Sequence, residues 1–120
     1  MKVFSSGGRV NFVDEADTFV GFDYMGSCCE SFGWMLSSER PAAFSEGDNG
    51  IEPAGFLFDR DFFEDTVPKA ECVEEGGVAT FRLTKDTAEI FLTLWNAQNG
   101  YYGHGFEVKH GGTVVKTGSL

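Results

Sequence analysis

Thr87-Ala88-Glu89-Ile90-Phe91-Leu92-Thr93-Leu94-Trp95-Asn96-Ala97-Gln98-Asn99-Gly100-Tyr101-Tyr102-Gly103-His104-Gly105-Phe106-Glu107-Val108-Lys109-His110 is the stretch that decides the fold. Two strand-like runs flank Asn99-Gly100. Asn and Gly both tolerate positive φ, which a tight type I′ turn demands at its two central positions, so the stretch reads as a β-hairpin. A two-residue turn sets Trp95 opposite His104, Thr93 opposite Phe106 and Phe91 opposite Val108. With a side-chain period of two, one face then carries Phe91, Trp95, Tyr102, His104, Phe106 and Val108, an aromatic face suited to a core. Ile90, Leu92 and Leu94 fall on the other face against Gly103, Gly105 and Glu107. Glycines there imply a bend or a close approach by another backbone or a ligand.

The same alternation recurs outward from this stretch. Arg9–Val13 and Thr18–Tyr24 read as a strand pair around the polar connection Asp14-Glu15-Ala16-Asp17. Met1–Phe4 reads as a short edge strand leading into a turn at Ser5-Ser6-Gly7-Gly8. Ser31–Leu36 alternates through Phe32, Trp34 and Leu36. Val78–Thr84 places Ala79, Phe81 and Leu83 inward, and Gly111-Gly112 turns the chain into a last strand at Thr113–Thr117. The C-terminal third is thus expected to be a four-stranded antiparallel meander. Ser37–Pro53 reads as a long surface loop of the functional or mobile kind. Asp59–Asp65 has the acidic start of one short helix.

The expected fold class is all-β: an antiparallel meander forming a small sandwich or partly open barrel. The chain of 120 residues reads as one domain, 1–120, long enough to bury a core without disulfides. Thirteen Phe and sixteen Gly agree with strands and many turns. No apolar run is long enough for a membrane span, and no signal segment is recognisable. Three Cys, two of them adjacent, are not a disulfide framework, which points to a reducing cytoplasm.

The formal charge is −10, concentrated between Glu39 and Glu75, where eleven acidic and three basic residues leave a net −8. Direct nucleic-acid binding needs Lys and Arg to displace counterions, so this surface argues against it. Solubility accounts for much of such a charge. The functional expectation is a binding protein that uses the acidic 39–75 segment on a protein partner or mimics nucleic acid. Exposed strand edges also allow a homodimer.

Two clusters are candidate site residues. Cys28, Cys29 and Glu30 form the first. Zinc sites normally take four ligands, and Cys28, Cys29, Cys72, His104 and His110 lack any C-x-x-C or H-x-x-x-H spacing, so whether a metal binds stays open. A nucleophilic cysteine would need a nearby base and a lowered pKa, which makes a Cys/His enzyme a further alternative. The second cluster is His104, flanked by Gly103 and Gly105 that leave its ring accessible, with Trp95, Asn99 and Tyr102. A small-ligand site would draw on Cys28, Cys29, Glu30, Trp95, Asn99, Tyr102 and His104. No cofactor-binding loop is recognisable, since Gly26–Gly33 lacks the strand-then-helix setting of a nucleotide loop.

These motifs carry a resemblance. Ser27-Cys28-Cys29-Glu30, Ala79-Thr80-Phe81 and Trp95 with Asn99-Gly100-Tyr101-Tyr102 resemble, in order and approximate separation, a family of small uncharacterised bacterial and phage proteins. That family carries Asp-Cys-Cys-Glu, an Ala-Thr-x-x-Phe strand, and a Trp followed by Asn-Gly-Tyr-Tyr-Ser. Here Ser27 replaces the Asp and Gly103 the Ser, and the Ala79 strand follows loosely. The resemblance spans about Phe19 to Val108. It implies a bacterial or phage origin, a cytoplasmic setting and two motif clusters that belong together; joined to the acidic surface, it extends the binding expectation to phage–host conflict. The family has no established activity to carry over.

Overall fold

The computed structural model describes residues 1–24, 32–40, 45–66, 77–96 and 104–120. Among the described residues, ten strands form two antiparallel sheets. The first sheet runs β1 (Lys2–Ser6), β2 (Arg9–Val13), β3 (Thr18–Asp23), β9 (Gly105–His110), β10 (Thr113–Ser119). The second runs β4 (Phe32–Ser37), β8 (Ala88–Asn96), β7 (Gly77–Lys85), and then β5 (Leu57–Phe58) and β6 (Glu64–Thr66), which share the far side of β7. The sheets pack as a small sandwich, as the all-β reading expected.

Alternation builds the core. Phe12, Val20 and Phe22 of the first sheet and Leu36, Leu83, Leu92 and Leu94 of the second are fully buried. Phe12 meets Trp34 edge-on at 5.3 Å between ring centroids, and Phe81 meets Phe106 at 6.5 Å, so aromatic pairs bridge the two layers. The β9–β10 turn is Gly111-Gly112, both left-handed at φ 59° and 81°, as a two-residue turn between twisted strands requires. Gly118 lies beneath the Phe106 ring. A Cβ there would come within 2.5 Å of ring carbons, so the strand crosses this ring only as glycine.

The central expectation, the Thr87–His110 hairpin, is overturned. β8 pairs with β4 and β7, and β9 pairs with β3 and β10. Trp95 sits opposite Gly33 and Val78, and Phe106 opposite Phe22 and Gly118, so the chain changes sheets between Asn96 and His104. The four-stranded C-terminal meander is therefore two strand pairs, β7–β8 and β9–β10, in different layers. The physical reason is burial. β8 is apolar on both faces, which suits a central strand covered from both sides, whereas β9 alternates and needs only one covered face. Asn99-Gly100 itself lies outside the described residues.

The core face of β8 is likewise reversed. Ile90, Leu92 and Leu94 point at the opposite sheet. Phe91 and Trp95 are buried on the outer side: Phe91 meets Phe62 at 5.9 Å, and the Trp95 indole donates to the Ser45 carbonyl at 3.2 Å. In β9, Phe106 and Val108 do face the core.

No helix forms at Asp59–Asp65. The Asp59 carboxylate accepts from the Asp61 amide at 3.0 Å in a turn, and β6 follows. Phe62 packs outward on Phe91, while the next residue, Phe63, packs inward on Phe81 and Phe106. Successive side chains on opposite sides are an extended pattern that a helix does not provide. The described part of the Ser37–Pro53 loop covers a sheet edge. Gly47 donates to the Trp34 carbonyl and accepts from the Leu36 amide, 2.9 and 3.0 Å, closing the outer side of β4.

Candidate functional site

The turn after β2 is built on Asp14. Its Oδ1 accepts from the amides of Ala16 (3.0 Å) and Thr18 (2.9 Å), and its Oδ2 accepts from the amide of Phe58 at 2.8 Å in the opposite sheet. One buried carboxylate thus ties the first sheet to β5. Directly after β5, Asp59 takes the Arg82 guanidinium as a short charged pair. Arg60 then reaches back, donating from Nε to Thr18 Oγ1 (3.0 Å) and from Nη2 to the Ala16 carbonyl (2.8 Å).

These ties open a cleft of about 230 Å³ between the sheets. Its walls include Val20, Phe58, Phe63, Phe81 and Val108, and its mouth holds Arg60, His110 and Lys116. Lys116 is there because of a β-bulge. Val114 pairs with Lys109, but Lys116 pairs with Val108, leaving Val115 as the extra residue. In an unbroken ladder Lys116 would oppose Glu107 on the outer face. The bulge turns it inward, as bulges do where a strand must re-aim a side chain. The Lys116 ammonium sits 4.0 Å from the Phe63 ring centroid.

Charge in this cleft differs from that of the chain. Among the described residues, the ion pairs involve Arg9, Arg40, Arg82 and Lys109, and none uses Arg60, His110 or Lys116. The lining carboxylate, Asp59, is held below its ordinary pKa of 3.8 by the Arg82 hydrogen bond first and the Asp61 amide second. A carboxylate whose folded pKa is depressed stabilises the fold above its unfolded pKa and loses that contribution as pH falls through the folded value. Asp59→Asn is therefore expected to lower the urea midpoint at about pH 7. At about pH 3 its midpoint should approach that of the parent. Equal differences at both pH values would remove the charged pair from the stability of this turn.

Of the residues singled out by sequence, Cys28, Cys29, Glu30, Cys72, Asn99 and Tyr102 lie outside the described residues. Trp95 and His104 are described, and they do not share a face. His104 points into the interior, 1 % exposed rather than accessible, because the backbone around it is paired to Leu120 and its ring is sandwiched by the core. It stacks on Phe32 at 3.9 Å, and its Nδ1 lies 3.0 Å from the Asp23 carbonyl. A carbonyl only accepts, so Nδ1 carries a proton. Trp95 turns to the outer side of β8 and lies over Gly33. Sequence reasoning missed Asp14, Arg60 and Lys116. Asp14 two residues before Ala16 is an Asx-turn signal that could have been read, but the link to Phe58 spans 44 residues and has no local signature.

Fold and cleft together define a two-sheet antiparallel β sandwich with a cation-lined opening between its layers. No protein-family model matches the chain, and neither curated proteins nor solved structures returned a match. Among the described residues, no three His, Cys, Asp or Glu side chains gather as a metal site, and no helix is long and apolar enough to cross a membrane.

Proposed function

We propose that this protein is a binding protein and that the cleft beneath Arg60, His110 and Lys116 takes a small ligand. The observation that carries the reading is the bulge at Val115, which turns a lysine from the outer face of β10 into an opening floored by phenylalanine and valine. A mostly apolar concavity with a few convergent polar groups is the usual form of a small-molecule site. The test is an amide-resolved NMR titration with a library of small aromatic and aliphatic fragments. Saturable shifts confined to Val108, His110 and Lys116 support the reading; a library that leaves these amides unmoved overturns it.

A second reading is supported by the surface. Glu39, Glu46, Asp48, Glu52 and Asp61 are all exposed, and all belong to the acidic 39–75 segment. This distribution suits a basic protein partner or a nucleic-acid mimic, with a cytoplasmic bacterial or phage setting as part of the same proposal. Replacing these five by their amides should abolish capture of a basic partner and leave fragment binding in the cleft intact. Capture that survives the replacement counts against this reading.

A further inference from the structure

Resting on the cleft reading, we infer that its ligand is a small anion with a ring-sized apolar body: an aromatic carboxylate or phosphate. Size sets the first limit. A dry cavity of about 150 Å³ accepts benzene, so about 230 Å³ holds one ring and a charged group, not a nucleotide. The walls set the second. Phe58, Phe63 and Phe81 offer ring faces and edges to a flat apolar body.

Charge sets the third limit. In a chain of net −10, two of its nine Lys and Arg residues and one of its two His stand at this opening. Arg60 spends two donors on neutral oxygens, Thr18 Oγ1 and the Ala16 carbonyl. Those bonds fix the guanidinium plane without cancelling its charge, and a guanidinium has five donors in all. Lys116 rests on a ring face instead of a carboxylate. The nearest lining acid, Asp59, is already committed to Arg82. A cationic ligand would face Arg60 and Lys116 directly. A neutral one would leave their donors without the charge-assisted partner that an anion supplies. The anion's carboxylate or phosphate oxygens would accept from Arg60 and Lys116 while its ring lies within the phenylalanine and valine walls of the cleft.

The test uses the full chain and three probes of one shape: benzoate, benzyl alcohol and benzylamine, titrated at neutral pH with amide shifts as readout. Benzoate should move Val108, His110 and Lys116 and bind about tenfold tighter than benzyl alcohol, with benzylamine weaker still. Lys116→Gln should cut the benzoate preference several-fold, and Lys2→Gln, on the far edge strand, should leave it as in the parent. Equal binding of the three probes, or a Lys116→Gln variant that retains the preference, overturns the anion assignment and leaves the cleft as a neutral site. No shift with any probe overturns the cleft reading itself. Phenyl phosphate alongside benzoate distinguishes the two anion chemistries.

Discussion

Asp14→Ala is expected to destabilise the folded protein by about 3 kcal/mol, read as a lower urea midpoint with an unchanged slope. Asp14 is 7 % exposed and accepts three amide hydrogen bonds. Two come from its own turn, and the third comes from Phe58 in the other sheet. Alanine removes the acceptor for all three and leaves buried N–H groups without a partner, which costs more than the bonds themselves contribute. Asn at this position keeps one carbonyl oxygen but presents an NH₂ toward a donor, so Asp14→Asn should fall between parent and alanine variant. A loss below about 1 kcal/mol for Asp14→Ala would mean that the two sheets are held together here by packing alone.

The second large effect concerns the strand whose pairing the local pattern misstates. Leu92→Ala is expected to cost about 3 to 4 kcal/mol, because Leu92 is 0 % exposed and lies between Phe81 and Leu36 in the middle of the second sheet. In the hairpin register Leu92 would instead lie on the side facing glycines, outside the aromatic core, and its truncation would cost far less. Double-mutant cycles separate the two arrangements. Leu92 and Phe81 should couple by about 0.5 kcal/mol or more. Thr93 and Phe106, which the hairpin would set directly opposite each other, should be additive. Coupling between Thr93 and Phe106 with none between Leu92 and Phe81 would restore the hairpin.

Much of the strand content was legible along the chain. Arg9–Val13 is a strand with the boundaries read from its alternation, and Thr18, Phe32, Gly77 and Thr113 open strands within a residue of expectation. The turn at Gly111-Gly112 falls where it was expected, and the one expected over Ser5–Gly8 narrows to Gly7-Gly8, because β1 runs on through Ser6; all four glycines have positive φ. These features depend on a residue and its near neighbours, which is why period and turn chemistry reveal them. The helix expected near Asp59 failed because an acidic first turn is a local signal, while Phe62 and Phe63 are claimed by opposite faces of the second sheet.

The candidate site was less legible. Cys28 and Cys29 stood out as an adjacent thiol pair, and His104 as a ring between two glycines. The cleft instead depends on Lys116 and Arg60, common surface residues whose direction comes from one extra residue in β10 and from two hydrogen bonds across 42 and 44 positions of chain. A bulge leaves little trace in a polar edge strand, since alternation there is weak to begin with.

By itself the sequence determined the class of this protein: an all-β chain of short, alternating strands joined by glycine and aspartate turns, with its acids gathered in one segment. Only the tertiary structure decided which strands share a sheet. Alternation specifies that a strand has a face to bury but not what it is buried against. For β8, apolar on both sides, the partner was settled by the need to cover two faces at once, and that requirement exists only when both layers of the sandwich are present.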